Sequence, residues 1–129
     1  MIESSAANIL VLLPDHLMRD LAVMGLSRQG WTVAAVRNAE EALALLDKMI
    51  PDVLVLDLQL PGQNGIDLIH QLRRAGRLNG TRILIITGLA FPQVVQQTLQ
   101  AGVSEFLTRP LDIEELIDRV ARQLAGVKL

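Results

Sequence analysis

Cysteine is absent from this sequence, and with it go disulfides, thiol nucleophiles and cysteine-held metal centres. Aromatics are almost as scarce: one Trp, two Phe and no Tyr. Because half of the 129 residues are apolar, the core must be aliphatic, built from Leu, Ile, Val, Ala and Met. An excess of positive charge is missing as well. Twelve Lys and Arg stand against fourteen Asp and Glu, a formal net charge of −2. That balance leaves no electrostatic footprint for direct nucleic-acid contact and no polybasic patch for a membrane surface. No apolar run approaches the ~20 residues of a membrane span, and the N-terminus lacks a signal-peptide pattern. A cytoplasmic protein is expected.

What is present is a regular alternation. The length suits one domain with a sizeable core, and the chain reads strand then helix five times, with no linker, repeat or low-complexity segment. Strands are expected near Ile9–Leu13, Thr32–Val36, Val53–Asp57, Ile83–Thr87 and Ser104–Leu107. Residues 1–7 read as a loose lead-in and 8–126 as the folded domain. Asn38 stands three residues before Glu41, and Asp112 three before Glu115, both close to a capping box. Pro92 suits the first turn of the fourth helix. On the fifth helix Ile113, Leu116, Ile117, Val120 and Leu124 share one face, a core stripe, while Glu114, Asp118 and Arg122 lie off it. Right-handed crossovers make such a chain a parallel sheet with helices on both faces, a doubly wound α/β fold.

The most informative stretch runs from Val53 through Leu54, Val55, Leu56 and Asp57 to Pro61, Gly62, Asn64 and Gly65. An apolar, β-branched run without polar alternation reads as a buried parallel strand. Asp57 closes it, and a loop of turn residues follows. The carboxyl ends of strands are where open α/β sheets bind ligands. Asp57 is therefore either a reactive carboxylate on display or a brace for its own loop.

Nearly the whole chain resembles the receiver domains of two-component response regulators. Val53–Asp57 and its Pro-Gly-Asn loop look like the family's phosphoacceptor strand and loop. Gly30-Trp31-Thr32-Val33, followed by Asn38-Ala39-Glu40-Glu41-Ala42-Leu43, is similar to the second strand and helix. Ile83-Leu84-Ile85-Ile86-Thr87-Gly88 resembles the fourth strand, and Ala101 through Leu111 the fifth strand and its proline-containing exit. The resemblance implies a flavodoxin-like (βα)5 fold with strand order 2-1-3-4-5. It implies Asp57 as phosphoacceptor, Thr87 as the hydroxyl that bonds the phosphoryl group, and Phe106 as the aromatic that swings inward on activation. It also implies a histidine kinase or phosphotransfer protein as partner. An output domain, or a second copy meeting a helix 4–strand 5–helix 5 face, is the further partner it implies. Thr87 and Phe106 also have plainer readings, a strand ending and core filling.

Two positions depart from the family pattern. Typical receivers end strand 1 in two acidic residues that hold Mg²⁺ together with the phosphoacceptor. Aligned on Ile9–Leu12, Leu17 and Arg19, that pair falls on Leu13 and Pro14, neither of which offers a side-chain oxygen to a hard cation. Asp15 lies one position later, either the N-cap of the first helix or a shifted metal ligand. Where the family carries a lysine before the fifth-strand proline, this chain has Arg109. Its planar fork suits a carboxylate better than a compact ammonium does, unless it simply points to the surface. Asp57 and Arg109 sum to zero charge, whereas a typical pocket carries −2 and a divalent ion. No bound cofactor or metal is expected.

Three function classes compete. The first is a phosphorelay signalling module acting through Asp57, with weakened Mg²⁺-dependent phosphorylation. The second is a degenerate receiver that binds partners without phosphorylation, Asp57 and Arg109 being locked together. An enzyme or flavin-binding relative is disfavoured, because Leu13-Pro14-Asp15 has no run of Gly, Ser or Thr to cradle a phosphate. The first is expected, with no enzyme activity. His16 and His70 stand alone in sequence and read as surface residues, and Trp31 as packing. The chain ends soon after its fifth helix, so no output domain is expected within it. The polar side of helix 4 is Gln93, Gln96, Gln97 and Gln100, which offers no charges to set the register of a dimer.

Overall fold

The computed structural model describes residues 6–88 and 91–127, apart from the side chains of 126 and 127. The expected lead-in falls largely on residues 1–5, outside the described residues. Ten main elements follow one another: β1 (Asn8–Leu12), α1 (His16–Ser27), β2 (Thr32–Val36), α2 (Ala39–Leu46), β3 (Val53–Asp57), α3 (Gly65–Arg74), β4 (Arg82–Thr87), α4 (Pro92–Gln100), β5 (Glu105–Thr108) and α5 (Ile113–Val127). The strands pair in parallel in the order β2-β1-β3-β4-β5. This is the doubly wound fold that the alternation and the crossover rule imply.

Every strand interior is apolar on both faces, because helices cover both. Side chains alternate along a strand, so one strand feeds two cores. Leu10, Leu12, Leu54, Leu56, Ile83 and Ile85 pack toward α2 and α3. Ile9, Val11, Leu13, Val55, Leu84 and Ile86 pack toward α1 and α5. Most of these are fully buried, and truncating any one to Ala would cost about 2–5 kcal/mol. The α5 stripe lands as its periodicity requires, with Leu116 and Val120 buried in the second core and Ile117 and Leu124 packed against it.

Helix starts are capped as the sequence suggests. Asn38 Oδ1 accepts from the Glu41 amide at 2.8 Å, and Asp112 Oδ1 from the Glu115 amide at 3.1 Å. The reciprocal half of the first box is shifted by one residue: Glu41 Oε1 accepts from the Arg37 amide at 3.0 Å. That backbone bond, then the Arg37 charge, holds the Glu41 carboxyl below its ordinary value. Pro92 opens α4.

Two features were not legible in the sequence. The loop after β3 contains a two-residue antiparallel ribbon, Gln59–Leu60 against Gln63–Asn64. Pro61 and Gly62 turn it, with Gly62 at φ +70 as a type II turn demands. The second feature is a hub on β5. Glu105 receives Arg119 Nη1 at 2.9 Å, Arg122 Nη1 at 3.4 Å and Gln123 Nε2 at 2.8 Å, all from α5.

Candidate functional site

Asp57 lies at the C-terminal end of β3, between β1 and β4. Five buried residues carry the strand to this point, and the carboxylate itself is 1% exposed. A buried charge is tolerable only when paired and hydrogen-bonded. Oδ1 accepts the Gln59 amide at 2.9 Å, a local turn bond of the kind Asp favours. Oδ2 is paired with Nη2 of Arg109.

Arg109 comes from one strand further along, just after β5, so its side chain must cross the end of β4. There β4 ends in Thr87, followed by Gly88. A Cβ placed on Gly88 would meet the Arg109 Cδ at 4.0 Å, so the crossing is close but unobstructed. The Arg109 amide donates to the Thr87 carbonyl at 3.0 Å, fixing where the side chain departs. The guanidinium is not fully used. Its Nε–H is buried with no hydrogen-bond partner among the described residues, a state that costs about 1–3 kcal/mol. Thr87 is fully buried beside this crossing. Phe106 is half-buried in β5 and packs against the α2–α3 core.

The β1 side is built from other chemistry. Leu13 is fully buried in the α1–α5 core. The carbonyls of Leu13 and Pro14 both accept from Arg19 Nη1, at 2.9 and 3.2 Å. Asp15 caps α1, its Oδ1 accepting the Met18 amide at 2.8 Å. Mg²⁺ needs several oxygen ligands in near-octahedral array. Here the two positions that would supply carboxylates carry an alkyl chain and a ring, Asp15 serves its helix, and both Asp57 oxygens are engaged. Among the described residues no cluster of three or more His, Cys, Asp or Glu could hold a metal. The donor set does not fit a divalent ion.

Other sequence candidates lie elsewhere. His16 is exposed at the start of α1, 3.5 Å from Asp20, and His70 is exposed on α3. Trp31 packs against the α1–α5 core just before β2. Sequence reasoning missed the role of one glycine, Gly65. A Cβ on Gly65 would stand 2.8 Å from the Asp57 carbonyl oxygen and 3.0 Å from the Leu58 Cα. The Gly65 amide also donates to the Leu58 carbonyl at 2.7 Å. The start of α3 is thus pressed directly onto the backbone that carries Asp57. Its only sequence signal was a glycine where a helix begins.

Comparison with known proteins finds relatives of the same fold. Residues 9–121 match the model of the response regulator receiver domain. The two-component response regulator PhoP of Pseudomonas aeruginosa is 38% identical over 112 residues, 87% of this chain and 49% of that protein. An uncharacterized 14.6 kDa protein of Leptolyngbya boryana is 34% identical over 110 residues, 85% of this chain and 84% of that protein. Among solved structures, the Francisella response regulator 1452 receiver domain matches with a TM-score of 0.86 and 27% identity, covering 95% of this chain and 99% of that one. The chain spans about half the length of most of the curated relatives it matches.

Proposed function

Since this chain belongs to the response regulator receiver domains, we propose that it signals through Asp57, accepting a phosphoryl group slowly and without a bound divalent ion. The observation that carries the reading is the neutral Asp57–Arg109 pair facing a β1 exit where Leu13 and Pro14 stand and the carboxylate of Asp15 caps α1. A histidine kinase or phosphotransfer protein is the donor. In the transfer an Asp57 oxygen bonds to phosphorus, the phosphorus–nitrogen bond of phosphohistidine breaks, and the imidazole leaves with the electron pair. Arg109 offsets charge on the phosphoryl oxygens, and Thr87 is the hydroxyl placed at the neighbouring strand end. Phosphoryl transfer depends on positioning and charge stabilisation, and one guanidinium does less of it than a guanidinium and a metal together.

The domain turns over no substrate of its own in this reading, and we place it in the cytoplasm. No helix among the described residues is long and apolar enough to cross a membrane. An output domain, or a second copy of the chain on the α4–β5–α5 face, receives the signal. We assign the domain no direct nucleic-acid contact. Since α4 offers only Gln93, Gln96, Gln97 and Gln100 on its polar side, such a dimer has little to lose to screening by salt.

The burial of Asp57 at 1% favours a second reading, an interaction module that works unphosphorylated. One experiment separates them: incubate the protein with its kinase or a small phosphodonor and follow intact mass. A gain of one phosphoryl group, absent in Asp57→Asn, supports the first reading. No gain from any donor supports the second.

A further inference from the structure

At the end of the sheet where the strands begin, opposite the crevice, a groove of about 600 Å³ lies between the exits of α2 and α3. Leu46, Met49 and Ile50 line it from the α2 side, Gly76 and Arg77 from the α3 side. The chain leaves α3 through Gly76, the Arg77 amide returning to the Leu72 carbonyl at 2.9 Å. Arg77 then pairs with Asp47, but both side chains are exposed, so the pair is weak and exchangeable. Ile50, just before the buried Pro51, is 60% exposed. Charge here is one-sided. Lys48, Arg73, Arg74, Arg77 and Arg82 stand at the exits of α2 and α3 and the start of β4, against Asp47 and Asp52. The whole chain, by contrast, carries −2. Among the described residues Lys48, Arg74 and Arg82 pair with no carboxylate. Cations at helix C-termini suit the helix dipoles, but the dipoles give no reason for a large apolar side chain exposed among them.

We propose that this groove docks an extended acidic segment of another protein. One apolar side chain of the segment lies on Met49 and Ile50, and its carboxylates reach Lys48, Arg74 and Arg77. Asp47 gives way in the process, because the segment offers Arg77 a carboxylate in its place. The occupant's charge follows from the unpaired cations, which a neutral or basic segment would leave facing apolar or like-charged atoms. Its shape follows from the concavity, which a protruding segment fills and a flat bilayer does not. The groove lies at the other end of β3 from Asp57, about 13 Å along the strand. It can therefore be filled whatever the state of Asp57, and the inference stands apart from the chemistry at that residue.

The probe is a short fluorescent peptide, all Glu except for one central Leu, titrated with the full chain and read by anisotropy. A companion peptide carries Gly in place of the Leu. The Leu peptide should saturate, with ¹H–¹⁵N NMR shifts confined to the amides of 47–50 and 76–77. Lys48→Glu and Ile50→Ser should each weaken it about tenfold. Arg28→Glu makes a like change at the same end of the sheet but on the α1 side, and should leave binding unchanged. All three positions are exposed, so each variant should keep its native spectrum. The proposal is overturned if the Leu peptide does not saturate, if the Gly peptide binds as tightly, or if either groove variant binds like wild type. Equal weakening by Arg28→Glu overturns it too, as an effect of charge alone. So does a loss, in Ile50→Ser, of self-association by sedimentation or of binding to phosphatidylglycerol vesicles, which would give the groove to a second copy or to a membrane.

Discussion

On the β5 side of Asp57 the crevice keeps a cation and a hydroxyl, Arg109 and Thr87, while on the β1 side Leu13 and Pro14 offer an alkyl chain and a ring. The contrast is not random loss. Leu13 adds a fully buried aliphatic side chain to the α1–α5 core, where a carboxylate would have needed a counter-charge. Arg109 supplies on the other side the single positive charge that Asp57 requires. Asp57 and Arg109 form a neutral pair across the crevice. What the β1 side gains in packing, the crevice loses in side-chain oxygens.

The largest expected effect comes from restoring the β1 side. The triple variant Leu13→Asp, Pro14→Asp, Arg109→Lys should gain Mg²⁺ affinity and Mg²⁺-dependent phosphorylation by small donors. A metal contribution of ~3–5 kcal/mol corresponds to roughly two to four decades in rate. The same variant should be less stable than its charge count alone suggests, because Leu13 is fully buried and an unpaired carboxylate there is costly. Phosphorylation rates with and without Mg²⁺, beside a denaturant titration, measure both. A wild type already fast and Mg²⁺-dependent would collapse the contrast between the two sides.

Arg109→Met removes the β5 half of the pair and leaves Asp57 buried and unpaired. The expected loss is about 3 kcal/mol, the lower end of the range for breaking a buried pair, since the Arg109 side chain is 31% exposed. Adding Asp57→Asn should recover much of it. If the single variant is as stable as wild type by urea denaturation, the pair is not what closes the pocket.

Gly65→Ala tests the floor of the crevice rather than its walls. The new methyl would meet backbone, the Asp57 carbonyl at 2.8 Å, which cannot swing aside as a side chain can. A loss of about 1–3 kcal/mol is expected, with amide shifts at Gln59 reporting displacement of the Asp57 loop.

The smallest effect belongs to Glu41, near the β1 side on α2. Its carboxyl is held below the ordinary value, first by the Arg37 amide and then by the Arg37 charge. A depressed folded value means stability that is present above the ordinary carboxylate range and fades as pH falls through the folded value. Melting temperatures of wild type and Glu41→Gln should therefore differ slightly at neutral pH and converge in acid. A constant gap at every pH would show that the difference is not one of charge.

Strand positions were legible because the chain alternates apolar runs with capped helices, and the observed ends differ by a residue: β1 is Asn8–Leu12, β4 begins at Arg82 and β5 is Glu105–Thr108. The meeting of Asp57 with Arg109 was also legible, since strand order and charge count both require it. The use of glycine was not. Gly65 matters for the backbone that passes close to it, and clearance between segments 8 residues apart (57–65) leaves no local pattern. The partnerless Nε of Arg109 was equally hidden. Sequence gives the charge of an arginine but not how its donors are shared out.

The Glu105 hub carries a mechanical consequence. Glu105 precedes Phe106 on a four-residue strand and is gripped by Arg119, Arg122 and Gln123 of α5. β5 lies at the edge of the sheet, with β4 as its one strand neighbour, so its outer side is fastened to a helix rather than to more sheet. Glu105 is thereby tied to about one turn of α5, from Arg119 to Gln123. Moving β5 therefore means carrying that turn of α5 along or breaking the charged contacts between them.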